Sequence, residues 1–158
     1  MKKSERLTAF VEQLDTDPGI ALDPCYQGYF TCFNAAQYYE AHDVLEHLWL
    51  QCTDGNYLFY KGLIQIAGAF VHLKLQALYP DHSKHGRRLQ PASRLFLRGV
   101  EHIAPYGPVH LRLDVAALCQ LCSEMADKII QSDFSRNPWS ARQPPQLELR
   151  RSEAKTEE

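Results

Sequence analysis

A chain of 158 residues, 45% of them hydrophobic and 23% charged, has material for one sizeable core and too little for two ordinary domains. Its formal net charge of −2 excludes a global field that would recruit nucleic acid or an anionic membrane surface. The longest apolar run, Leu63 to Leu73, is interrupted by Gln65 and His72 and is too short and too polar to span a bilayer.

The N-terminus, Met1-Lys2-Lys3-Ser4-Glu5-Arg6, leads into an amphipathic pattern and not into a signal-peptide core, so a cytoplasmic protein is expected. Its five cysteines (Cys25, Cys32, Cys52, Cys119 and Cys122) are then expected as thiols. Cys119-x-x-Cys122 reads as a turn of helical core, because a structural zinc site would need a second pair.

Taken in order, Leu7, Phe10, Val11 and Leu14 recur at helical spacing after the cap candidate Ser4, and Asp17-Pro18-Gly19 stops that first helix. Asp23-Pro24 starts a short helix expected to run to about Thr31. Asn34 with Gln37 reads as a capping box opening the second main helix, which runs to about Gln51. After the turn Thr53-Asp54-Gly55-Asn56, with Asn56 as cap, Tyr57 to Tyr79 forms one long apolar helix ended by Pro80. Asp81 to Gly86 is a polar loop, and Pro91 to Ile103 a helix closed by Pro105-Tyr106-Gly107-Pro108. Asp114 caps a last helix to roughly Ile130, with Val115, Leu118, Cys122, Met125, Ala126 and Ile129 inward. No run alternates with the period of two that a half-buried strand requires. From Ser132 the tail is proline-rich, with Trp139 placed to pin it to the bundle, and then charged.

The chemistry concentrates in Tyr39-Glu40-Ala41-His42-Asp43-Val44-Leu45-Glu46. At about 100° per residue, Tyr38, His42, Leu45 and Trp49 share one stripe, with Tyr39 and Glu46 at its edge. His42 and Glu46 stand at i and i+4, with Cβ atoms about 5–6 Å apart. Two arrangements suit that spacing. The carboxylate hydrogen-bonds the imidazole and fixes its tautomer, or both converge on one divalent metal. Glu40 lies roughly 160° from His42 and is expected on the outer face, paired with His47. Asp43 is intermediate and reaches either group.

On the following helix Lys61, Gln65, His72 and Gln76 form a narrow polar stripe interleaved with Gly62, Gly68 and Ala69. Glycine costs about 1 kcal/mol against alanine in a helix, so another helix or a ligand is expected to come close there. An antiparallel hairpin would let Gln65 and His72 face His42 and Glu46, with Lys61 balancing Glu46. Two imidazoles and a carboxylate make a divalent-metal set with open positions. The competing reading has the stripe meeting water and His72 on the surface.

The two segments Phe33-Asn34-x-x-x-Tyr38-Tyr39-Glu40-Ala41-His42-Asp43-Val44-Leu45-Glu46-x-x-Trp49 and Lys61-Gly62-Leu63-Ile64-Gln65-x-Ala67-x-Ala69-x-x-His72 together resemble the domain-of-unknown-function family three hundred and nine. The resemblance implies a small all-helical bundle and carries the general label of a predicted metal-dependent hydrolase. Transferred by position, it selects His42, Glu46, Gln65 and His72, and retains Glu40. The chain departs from the pattern at Asp43, where the family has glutamate. It departs again from Lys74 to Arg88, which is longer and more basic than the family's short Gly-Asn turn.

His82, Lys84, His85, Arg87, Arg88, Arg94 and Arg98 gather in one loop and helix start. Arginine forks suit phosphate, but no aromatic interleaving supports base stacking, and a solvated basic face is the stronger reading.

These readings give an all-α fold, a small bundle of about five to six helices with an extended C-terminal tail. Residues 1–149 form one helical domain and 150–158 a disordered tail. A polar pocket is expected between the second and third main helices, with His42, Glu46 and His72 as metal ligands. Glu46 and Asp43 are its catalytic carboxylates, and Tyr39, Glu40, Trp49, Lys61 and Gln65 line it. The cofactor is a divalent metal (Zn, Mn or Fe), and the partner a small molecule or a protein, with a homo-oligomer left open, nucleic acid disfavoured and no membrane. The alternative is a non-catalytic structural or binding module in which the His42–Glu46 pair stabilises the bundle.

Overall fold

The computed structural model describes residues 3–13 and 22–151, with Lys3 and Ser4 described by backbone alone. The Ser4 cap, Leu14, the stop at Asp17-Pro18-Gly19 and the charged tail beyond residue 151 lie outside the described residues.

Six α-helices appear among the described residues: α1 (Lys3–Glu12), α2 (Pro24–Asn34), α3 (Tyr38–Leu50), α4 (Tyr57–Leu78), α5 (Leu89–Ile103) and α6 (Val115–Gln131). A 3₁₀ turn (Ala104–Tyr106) and a minimal antiparallel hairpin, β1 (Val109–His110) with β2 (Leu113–Asp114), join α5 to α6. Two-residue strands are too short to leave a period-two signature, which is why the sequence showed none. The architecture is a small all-α bundle, and among the described residues no helix is long and apolar enough to cross a membrane.

Caps form where a short acid is free to turn onto the backbone. Asp23 accepts from Cys25 N at 2.7 Å, ahead of Pro24 in the first helical position. Asp114 accepts from Ala117 N at 2.9 Å. The two asparagine caps do not form. Asn34 is the last residue of α2, which runs past Thr31, and its carboxamide is taken by the C-terminal tail. It donates to Leu147 O at 2.8 Å and accepts from Leu147 N at 2.7 Å. α3 therefore starts at Tyr38 without a side-chain cap, after a tight turn with Ala36 at φ 59°. Asn56 makes no cap bond, because its Oδ1 accepts from His110 Nε2 at 2.6 Å and ties the hairpin to the start of α4.

α4 is the central helix and packs between α3 and α5, with α2 on α3 and α6 on α5. Its buried residues, from Phe59 to Leu73, surround nearly the whole axis, as an apolar helix at the centre of a bundle requires. Aromatic contacts set the α2–α4 core. Phe33 meets Phe70 edge-on at 5.1 Å, Tyr38 stacks on Phe70 at 5.1 Å, and the Tyr29 hydroxyl donates to Leu63 O at 2.7 Å. Tyr38 against Phe70 at one end and Trp49 against Tyr57 (5.2 Å) at the other show that α3 and α4 are antiparallel.

The inward residues of α6 are Val115, Leu118, Cys122, Met125, Ala126 and Ile129, and all five cysteines are free. Past α6 the chain straps the bundle. Asn137 donates to Leu73 O at 2.8 Å, and the buried Trp139 donates from Nε1 to the Tyr38 hydroxyl at 2.8 Å. The strap continues beyond residue 149: Arg150 N donates to Arg112 O at 2.8 Å, and Arg112 donates to Arg151 O.

Candidate metal site on α3

The buried positions of α3 are Tyr38, Ala41, Val44 and Leu45, so the helix turns this face to the core. His42, Asp43 and Glu46 fall at the border of that face, where each is partly exposed. One potential ligand atom from each lies within 4.8 Å of those of the other two. His42 Nδ1 stands 3.1 Å from Asp43 Oδ1, with the two side chains 32% and 23% exposed. A carboxylate can only accept, so the imidazole donates from Nδ1 and leaves Nε2 carrying the lone pair.

The partner of this imidazole is its sequence neighbour, where the i, i+4 spacing had favoured Glu46. Neighbouring positions diverge by about 100° on a helix, yet near its border a short carboxylate can swing sideways to an imidazole held in place by packing. Tyr39, 65% exposed, lays its ring 6.2 Å from the His42 ring and screens one side of the group.

His72 and Gln65 do not join this group. His72 Nδ1 accepts from Arg88 Nη1 at 2.8 Å, and Gln65 Oε1 accepts from His102 Nδ1 at 2.7 Å. Lys61 likewise lies beside His102 and helps to hold its imidazole below the usual range, after the larger effect of burial. The polar stripe of α4 therefore faces α5 and the loop before it. The reason lies in the glycines. A Cβ on Gly62 would stand 2.5 Å from Ile103 Cγ2 and 2.9 Å from Gly99 O, so the small residues admit α5 at close range. Burial first, and the Arg88 guanidinium second, lower the pKa of His72. An imidazole that accepts from a guanidinium is a poor place for a second cation.

Trp49 is spent on packing, its ring against Tyr57 and its buried Nε1 without a hydrogen-bond partner among the described residues. Glu40 makes no ion pair with His47 among the described residues. It lines, with Asp43, Tyr39, Arg6, Leu7 and Phe10, a cavity of about 520 Å³ between α1 and α3. Sequence reasoning missed this α1 wall. The Leu7, Phe10 and Val11 pattern showed that α1 has an apolar face and carried no signal of what that face covers.

Residues 26–78 match the model of a family described as Domain of unknown function (DUF309). The matched stretch takes in most of α2, all of α3 and all of α4. The matched residues include His42, Asp43 and Glu46 together with the whole polar stripe of α4, whereas α1 and the Arg88 loop lie outside the match. Neither the curated proteins nor the solved structures yield a match to the chain.

Proposed function

We propose that α3 carries a divalent-metal site with His42, Asp43 and Glu46 as its protein donors, and that the site serves metal-assisted hydrolysis of a small molecule. The observation behind this reading is the convergence of one imidazole and two carboxylates within 4.8 Å, beside a ligand-sized cavity that Asp43 also lines.

The donor set fits such an ion. Imidazole nitrogen with carboxylate oxygen suits Zn, Mn or Fe, and three protein donors leave positions open. His42 Nδ1 already faces Asp43 Oδ1 at 3.1 Å, and an ion would take the place of the proton between them. The Glu46 carboxylate, within 4.8 Å of that pair, would complete the set. When bound, a divalent ion supplies a Lewis acid and lowers the pKa of water. A carboxylate oxygen of Glu46 or Asp43 not taken by the ion would be the proton acceptor there, and the Tyr39 ring flanks one side of the group. The partial exposure of His42 and Asp43 favours this reading over a sealed structural pair, which would have no route for an ion or a substrate.

Protein purified without chelator, followed by metal analysis and calorimetric titration with Zn²⁺ and Mn²⁺, tests the site. About one equivalent is expected in the parent, with loss in His42→Ala and in Glu46→Gln while the helical circular dichroism is unchanged. A parent that binds neither ion, or a His42→Ala variant that binds as the parent does, removes the proposal.

A further inference from the structure

The cavity between α1 and α3 has the size of small-molecule sites, about 520 Å³. Its walls divide by chemistry. Leu7, Phe10 and the Tyr39 ring supply apolar surface, Arg6 a guanidinium, and Glu40 and Asp43 carboxylates. Arg6 has no carboxylate partner among the described residues, although two carboxylates share its cavity. As it stands, one guanidinium against two carboxylates leaves the lining with an excess negative charge, which repels an anion. Asp43 belongs both to this lining and to the donor group of His42 and Glu46. With Glu46 counted among the carboxylates, a divalent cation held there neutralises the excess negative charge and removes the repulsion that an anion meets.

We propose that this cavity receives the substrate of the α3 site, and that the substrate is a small organic anion with an apolar body. Its phosphate or carboxylate group is held by Arg6, and its body lies against Leu7, Phe10 and Tyr39. The inference rests on the metal-site reading above. A guanidinium fork suits such oxyanions in a bidentate geometry that a lysine does not reproduce. The three apolar walls account for the body: an inorganic anion would leave them wet and unused. Anion binding in this pocket is consequently conditional on the metal.

Phenyl phosphate is the probe, titrated calorimetrically into the full chain with and without Mn²⁺, with inorganic phosphate in parallel. Phosphorus-31 line broadening by Mn²⁺ reports proximity to the ion. The expected result is saturable phenyl phosphate binding only in the Mn²⁺-loaded protein and weaker binding of inorganic phosphate. Arg6→Gln should weaken phenyl phosphate by roughly tenfold or more, the usual loss when a charge-assisted hydrogen bond is removed, with Mn²⁺ affinity unchanged. Arg6 is exposed on α1, so its replacement leaves the core intact.

Mn²⁺ binding without any phenyl phosphate binding overturns the substrate class and leaves the metal site standing. So does phenyl phosphate affinity that survives Arg6→Gln, or that needs no metal. A parent that binds neither Mn²⁺ nor Zn²⁺ overturns both readings, and the titration with metal alone reveals which has failed.

Discussion

The indole of Trp139 and the phenol of Tyr38 meet inside the bundle although 101 residues separate them in the chain, and a single 2.8 Å hydrogen bond joins them. Burial, partly offset by the Trp139 hydrogen bond, pushes the Tyr38 hydroxyl up to about 12, so it stays protonated throughout the working range and keeps a lone pair for the indole N–H. Tyr38→Phe keeps the ring stacked on Phe70 and removes the acceptor. It is expected to lower unfolding free energy by about 1–3 kcal/mol, because the indole N–H is left buried and unpaired. Urea denaturation of the variant beside the parent measures this, and an unchanged midpoint would show that the tail contributes no such bond. At position 42 the same scale of detail decides chemistry. The Nδ1 contact with Asp43 selects the tautomer of the metal-free protein and marks the imidazole edge that faces the carboxylates.

Two helices approach as closely as α4 and α5 do only where side chains are missing from the contact. Gly62 and Gly99 stand opposite each other: a Cβ on Gly99 would lie 2.6 Å from Ile66 Cγ1 and 3.0 Å from Gly62 O. The carbonyl belongs to helix backbone and cannot yield without moving α4. Gly99→Ala is therefore expected to destabilise by about 1–3 kcal/mol despite alanine's better helix propensity. Gly55 has nothing within 4 Å of the added atom and no positive φ, so Gly55→Ala should be close to neutral. Thermal melts of both variants check the contrast, and a Gly99→Ala protein as stable as Gly55→Ala would refute the close-packed interface. This contact also fixes what the polar stripe of α4 does. With α5 so near, Gln65 pairs with His102, and His72 with Arg88.

Those pairings make whole-molecule stability depend on pH. Burial, then Arg88, lower the pKa of His72, and burial, then Lys61 and Arg98, lower that of His102. Both groups return to an ordinary value near 6.5 when the chain unfolds. Below that value the unfolded chain takes up protons that the folded protein resists, so stability is complete above it and declines as pH falls toward the lowered folded values. The apparent Tm should drop between pH 7.5 and pH 5.5 (about two units spanning the ordinary imidazole value), and the drop should shrink in His72→Gln. A Tm that holds level across that range would contradict the prediction. His72→Gln keeps an acceptor for Arg88, so the comparison isolates titration from packing.

Helical type, order and most inward faces were legible in the residues themselves. Periodicity and proline placed all six helices, Asp23 and Asp114 cap as their short carboxylates allow, and the inward set of α6 follows its spacing residue by residue. The motif around His42 marked the segment that matches DUF309, and the donor group on α3 lies within it. Tertiary structure decided the neighbours. Periodicity orients a side chain about its own helix axis, and it carries no information on which other helix stands opposite. The polar stripe of α4 was legible as a face that something approaches, yet only the fit of Gly62 to Gly99 made that partner α5 and turned His72 away from His42. The α1 wall beside Asp43 and the capture of Asn34 by the tail were likewise beyond local pattern, because each joins residues whose separation in sequence is bridged only by the folded chain.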